Sequence, residues 1–309
     1  MLFHTAMANY RLDRTIIFLR PYKLKKLIAF ALILVSVLSL AACSNTNNSG
    51  KKANDKLYNE YISFTTIYMV SYDEVKDYAE YGAAVYEYDF QSKEAAEIFS
   101  FPLNAQYALG VYDKKTNSVY YSKEKGNDTY ARRRTGDQIY AYDLTTGSNT
   151  MLTEDLLAIN FIDPVDGFVF FVAARQSNID CLVLGKIDLS NGRIKYWNGT
   201  DTDSINTMSI DKINKRIYVS VYDSLERDIA ADTANKTNNP LVHPKYTIYS
   251  YDYNLSDKHE ILSKDHMEIA SVYVRDNHLL YRADSNSALQ PGIITISEVS
   301  EVIDLLIWK

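Results

Sequence analysis

The chain has 309 residues, 33 of them basic and 39 acidic, for a net charge of −6. That balance argues against a nucleic-acid ligand and against electrostatic docking on anionic lipid. Two cysteines are too few for a disulfide scaffold or a cysteine zinc site.

The first 43 residues read as a targeting segment. Arg20, Lys23, Lys25 and Lys26 precede an apolar run from Leu27 to Leu40. That run has the length of a signal-peptide core and is short for a membrane span. Leu40-Ala-Ala-Cys43 follows at once. This tetrapeptide resembles the lipobox of bacterial lipoproteins. The resemblance implies cleavage before Cys43, lipid on its sulfur, and a membrane-anchored protein on the extracytoplasmic side of a bacterium. Residues 44–57 are polar and read as a flexible tether. Residues 1–42 hold six basic residues and one acidic residue, so 27 basic and 38 acidic residues remain without them, a net charge of −11. Such an acidic body leaves anchoring to the lipid, and two or more acyl chains hold stably where one does not.

From residue 58 to 309 the chain reads as all-β. Tyrosine is abundant (26), while Gly (11) and Pro (6) are scarce. One phrase recurs: apolar and polar residues alternate, then end at an aspartate and a turn. It appears as Ala84–Phe90, Gln138–Gly147, Cys181–Gly192 and Thr247–Leu255. A second element, a hairpin, comes between these. It occupies Ala108–Ser122, Ile159–Val172, Met208–Ser220 and Ser271–Tyr281, with Asp113, Asp163 and Asp211 at its turns. Each unit therefore has four strands. A turns tightly into B, a variable loop leads to C, and a short turn leads to D.

The first unit is Thr65–Val70 with 84–90 and 95–101, its A strand unclear. Ser71–Tyr81 has room for a helical turn or two. Later units begin near residues 106, 157, 206 and 270. No amphipathic helix of useful length is expected. The last unit takes Gly292–Val299 as C and Val302–Trp308 as D, without the aspartate. Four antiparallel strands per unit of this length predict a β-propeller with about five blades. At this point residues 58–290 resemble bacterial lipoproteins with TolB-like or YVTN-like propellers. Six to eight blades is the commoner closure, so five detectable units leave a chain truncated from a larger ring as one reading.

The long insertions are all B-to-C: Ser71–Gly82, Lys123–Asp137 and Asp223–Lys245, the last read as an irregular arm. With the D-to-A loops they share one face, where recognition is expected. Tyr130, Arg132, Arg133 and Arg134 place an aromatic beside three guanidiniums, chemistry that suits an acidic partner. The D-to-A loops carry Glu154, Asp155, Asp201, Asp203, Asp265, His266 and Glu268. Convergent carboxylates, chiefly Asp201, Asp203, Asp265 and Glu268, suit calcium or a cationic ligand. Apart from calcium, no cofactor is expected. Nucleophile elbows, zinc motifs, phosphate loops and dinucleotide fingerprints are absent from the sequence. Three functional readings follow. The first is a non-catalytic anchored propeller binding a protein or small ligand through its loop-rich face. The second is a glycan hydrolase or lyase using Asp203 and Glu268. The third is a truncated propeller without independent function. Cys181 reads as a small buried hydrophobe.

Overall fold

The computed structural model describes residues 61–75, 78–125, 136–275, 278–285 and 289–295. Eighteen strands and one helix are present among them, and the strands form five antiparallel sheets. The first sheet holds β1 (Tyr61–Asp73), β2 (Tyr78–Asp89) and β3 (Glu94–Pro102). The second holds β4 (Gly110–Asp113), β5 (Ser118–Glu124), β6 (Asp137–Asp143) and β7 (Asn149–Met151). The third holds β8 (Leu156–Val165), β9 (Phe168–Arg175), β10 (Asn178–Asp188) and β11 (Ile194–Tyr196). The fourth holds β12 (Asp203–Asp211), β13 (Arg216–Asp223), β14 (Tyr246–Asp252) and β15 (His259–Lys264). The fifth holds β16 (Glu268–Arg275), β17 (His278–Asp284) and β18 (Leu289–Thr295). Each strand pairs with its neighbour in sequence, as the repeated phrase requires. The protein is a β-propeller of about five blades.

The repeating aspartates have a local cause. Asp89 Oδ1 accepts N–H bonds from Gln91 (2.7 Å) and Ser92 (2.8 Å). Asp143 Oδ1 accepts from Thr145, Asp188 Oδ1 from Ser190 and Asp252 Oδ1 from Ser256. Each closes the C-to-D turn with its own side chain, the general use of Asp in turns. In the A-to-B turns, Asp113 Oδ1 accepts from Lys115 N, and Asp211 Oδ1 accepts from Ile213 N and Asn214 N. The accepted N–H bonds hold the carboxyls of Asp89 and Asp143 below the usual carboxylate range.

The core lies between sheets. Ala83, Val85 and Phe101 meet Val119 and Tyr121 between the first and second. Ile139 meets Leu156, Ile159 and Phe171 between the second and third. Phe170, Val172 and Leu184 meet Ile205, Ile217 and Val219 between the third and fourth. Tyr218, Tyr246 and Ile248 meet Ile269, Val272, Leu279 and Tyr281 between the fourth and fifth. The B strands of the three middle sheets, β5, β9 and β13, are buried on both faces. Phe170 and Val172 of β9 point one way and Phe171 the other, which is why β9 reads as a continuous apolar run and not an alternating one. Full burial of each such side chain contributes about 1.5–3 kcal/mol.

Three aromatic residues lie flat over a glycine on the neighbouring strand. Tyr68 covers Gly82, Phe171 covers Gly185 and Tyr281 covers Gly292. A Cβ at any of the three would enter the ring opposite.

Several expectations are corrected. Ser71–Gly82 is not a loop with helical turns. β1 runs on to Asp73 and β2 begins at Tyr78, so these residues are mostly strand. Asp89 ends β2, so β1, β2 and β3 occupy the B, C and D positions. The third strand of the last sheet is Leu289–Thr295, earlier than Gly292–Val299. The expected strand at Val302–Trp308 lies outside the described residues. Asp163 is not at a turn. It pairs with Phe170 inside β8, whereas Asp113 and Asp211 end their strands; the turn aspartate there is Asp166, at φ 50°.

The arm Asp223–Lys245 is also not irregular throughout. Ser224–Thr237 is a helix, α1. Asp223 caps it, accepting from Glu226 N at 2.9 Å, and Asn238 ends it in the left-handed region at φ 53°. None of its residues is buried. The helix therefore lacks the apolar stripe by which sequence usually reveals one.

Candidate functional site

Antiparallel succession puts the B-to-C and D-to-A connections on one face and the A-to-B and C-to-D turns on the other. The two faces differ in chemistry.

On the loop-rich face the expected carboxylates are present but engaged separately. Asp155 accepts from Arg175 Nη2 at 2.7 Å and Nε at 2.9 Å, and from the Tyr196 hydroxyl at 2.8 Å. The Arg175 guanidinium stacks 4.0 Å over the Tyr196 ring. Burial, then Asp155, pushes the Tyr196 hydroxyl far above its ordinary value. Asp203 Oδ2 accepts from Thr200 N at 2.9 Å, which closes its own loop. Asp201 takes part through its backbone carbonyl, which accepts from Asn178 Nδ2 and from the Cys181 thiol. Glu268 Oε1 accepts from Asn206 Nδ2 at 3.0 Å. Asp265 is exposed. Glu154 faces Lys125 at 3.9 Å. Among the described residues no three His, Cys, Asp or Glu side chains come together as a ligand set for a metal. Asp203 and Glu268 thus each have a partner of their own, Thr200 N and Asn206 Nδ2.

Cys181 is buried, as its strand context predicts. Its sulfur lies 3.2 Å from the Ser224 hydroxyl at the start of α1. Together with Thr202, which donates to Asp223 Oδ2 at 2.6 Å, it fixes the root of the arm. The far end of the arm is fixed by His243, which is buried edge-on to Tyr246 and whose carbonyl lies 3.4 Å from His266 Nδ1. His243 Nδ1 has no hydrogen-bond partner among the described residues. Burial pulls the His243 imidazole below its ordinary value, opposed in part by Glu268. Between these anchors α1 stands in solvent, with Leu225 and Ile229 exposed one turn apart and Val242 exposed beyond. Tyr130, Arg132, Arg133 and Arg134 lie outside the described residues, as does Cys43.

The opposite face holds a cavity of about 690 Å³. Tyr61, Tyr112, Asp163, Asp166, Lys212 and Tyr273 are among the side chains around it, so every sheet contributes. Lysines at its rim are paired: Lys114 with Glu87 (2.6 Å), Lys115 with Asp166 (3.6 Å) and Lys212 with Asp163 (3.4 Å). Burial raises the Asp163 carboxyl, against the pull of Lys212. This cavity is hidden in the sequence, because it is built from short turns and not from elaborated loops. The available signal was Asp163, whose place two residues inside a strand frees it from turn capping.

No protein-family profile matches the chain, and no curated protein matches it in sequence. Similar solved structures do exist. A Pyrococcus horikoshii acylaminoacyl peptidase matches with a TM-score of 0.51 at 12% identity, over 75% of this chain and 35% of that one. An oligogalacturonate lyase in complex with manganese matches with a TM-score of 0.48 at 11% identity, over 70% of this chain and 59% of that one. TolB from Acinetobacter baumannii matches with a TM-score of 0.46 at 13% identity, over 75% of this chain and 52% of that one. The chain thus spans little more than half the length of the lyase and of TolB. At these identities the likeness concerns the fold alone.

Proposed function

We propose that the chain is a lipid-anchored binding propeller on the extracytoplasmic side of a bacterial membrane. It takes a protein partner on its B-to-C and D-to-A face and performs no chemistry of its own. One observation carries this reading. The 223–245 arm is fixed at both ends, yet none of the residues of its fourteen-residue helix is buried, and the arm presents Leu225 and Ile229 of the helix and Val242 beyond it to solvent. A short helix is marginal without packing. One retained with apolar residues outward is suited to packing against another molecule. The arginines 132–134, in the B-to-C connection of the second sheet, supply guanidiniums for an acidic patch on that partner. Anchoring comes from the Leu40-Ala-Ala-Cys43 motif, with lipid on Cys43.

Two comparisons test the proposal. Cys43→Ala should release the chain from the membrane fraction; a variant still held there contradicts the anchor. Affinity purification from the envelope fraction with Leu225→Asp/Ile229→Asp, and separately with Arg132, Arg133 and Arg134 all changed to Ala, should lose the partner retained by the unaltered chain. Full retention by both variants contradicts the assigned face.

A further inference from the structure

The proposed function makes no use of the cavity on the A-to-B and C-to-D face. Its volume of about 690 Å³ lies within the range of small-ligand sites, about 300–1,000 Å³. Its walls are tied across sheets. Tyr112 N donates to Ser63 Oγ at 2.8 Å, which joins β4 to β1. Lys114 N donates to the Tyr61 hydroxyl at 3.3 Å, and the Tyr112 hydroxyl donates to Asn117 Oδ1 at 3.1 Å. The Tyr61 and Tyr112 rings thus stand 6.4 Å apart, tilted by 52°. Val274 N donates to Ser209 Oγ at 3.0 Å, which holds β16, and with it Tyr273, against β12. Groups fixed beforehand lose less freedom when a ligand arrives.

The charges around the cavity discriminate among ligands. Asp89 and Asp113 accept backbone N–H bonds within their own turns. Lys114, Lys115 and Lys212 each face a carboxylate of an adjacent sheet, Glu87, Asp166 and Asp163. A phosphate or carboxylate ligand would compete with those carboxylates for every lysine. A cationic ligand approaching Asp163 would meet the Lys212 ammonium already beside it. Asp163 itself is under-supplied. It caps no turn, and Lys212 stands at 3.4 Å, beyond the 2.7–2.9 Å usual for a close charge-assisted bond. Burial raises its carboxyl in spite of Lys212, so the anion is short of donors. An uncharged hydroxyl supplies a donor and leaves the ion pairs in place.

We infer that this cavity binds a short neutral saccharide, with a hydroxyl on Asp163 and an apolar ring face against the tyrosines. A sugar alternates hydroxyl edges with C–H faces, and the lining alternates paired charges with the rings of Tyr61, Tyr112 and Tyr273. Those rings offer flat, electron-rich faces to C–H groups. Tyr273, 59% exposed, is the ring most open to a ligand among the three. The site lies on the face opposite the arm, and the inference does not rest on the protein partner proposed above.

The test is isothermal titration calorimetry on the full chain in a sugar-free detergent. The probes are cellobiose, maltose and N,N′-diacetylchitobiose, with digalacturonate, spermidine and glycylglycine as charged comparisons. At least one neutral disaccharide should bind with a Kd below about 1 mM. Tyr273→Ala and Asp163→Ala should each weaken it about tenfold or more. Tyr107→Ala removes a ring that is 41% exposed and is not part of the lining, and it should leave the affinity unchanged. If Asp163→Ala lowers the melting midpoint, Tyr273→Ala decides alone, since its exposed ring leaves the core intact. Absence of binding by all three neutral disaccharides overturns the inference. Tighter binding of a charged probe, full affinity in Tyr273→Ala, or an equal loss in Tyr107→Ala overturns it as well.

Discussion

Gly185→Ala is the sharpest stability experiment that the fold offers. Gly185 is buried in β10, with Phe171 of β9 on one side and Tyr196 of β11 on the other. A methyl group there would stand 2.5 Å from Phe171 Cε2 and 2.6 Å from Cε1, and closer still to Cζ. Ordinary carbon contacts lie at about 3.5–4.0 Å. The ring must therefore retreat by about 1 Å or more, into a core where Phe171 has no exposed surface. Overpacking of this kind costs about 1–3 kcal/mol. Replacing Gly by Ala returns about 0.4–1 kcal/mol through the unfolded state. The central values leave a net loss of about 1.3 kcal/mol, or roughly 3–5 °C in melting midpoint for a domain of this size. Thermal and urea unfolding followed by circular dichroism read it directly. Phe171→Leu in the Gly185→Ala background should recover part of the loss, with a coupling of about 1 kcal/mol. An unchanged midpoint for Gly185→Ala, or strict additivity in the double variant, refutes the aromatic-over-glycine account. The same change at Gly82 should cost less, because Tyr68 above it is 44% exposed and has room to swing away.

Other outcomes follow from the turns, the helix and the buried histidine. Asp211→Ala removes the buried carboxylate that accepts from Ile213 N, Asn214 N and Asn214 Nδ2 of the exposed turn after it and should cost about 1–3 kcal/mol in urea unfolding. Asp223→Ala removes the cap of α1 and should lower helical ellipticity while the midpoint of the β transition stays nearly fixed, because the helix buries nothing. His243 is neutral in the fold and its proton affinity is lowered by burial, so the unfolded chain protonates first as the pH falls. Its contribution is complete above about pH 6.5, is lost as the pH falls through the lowered value, and then levels off. His243→Phe should flatten that part of the stability–pH curve; an identical curve contradicts the assignment.

Sheet order was legible in the sequence because each blade closes its turns with the same side-chain device. Asp89, Asp143, Asp188 and Asp252 cap turns locally, so they recur wherever the turn recurs, whatever surrounds them. Features that depend on what a segment does not bury were hidden. α1 has a capping aspartate, with Glu226 three residues on, but no apolar stripe. Tyr68 to Val70 looked like the end of a strand because exposure on both faces leaves no alternation to read. Asp163 matched the spacing of Asp113 and Asp211, yet β8 continues two residues past it, and that shift turns a presumed cap into a lining residue of the cavity. The carboxylates of the loop-rich face were legible in the sequence as residues. Their separate partners, Arg175, Thr200 and Asn206, are contacts across loops and sheets that spacing alone does not encode.

The central claim is that the loop-rich face, and not the cavity face, meets the partner. Site-specific photo-crosslinking of the full chain in living cells addresses it directly, with the probe at Ile229 on α1 and at Ile213 on the opposite face. The account predicts a discrete protein adduct from Ile229 and none from Ile213. An adduct from Ile213 with none from Ile229 contradicts it.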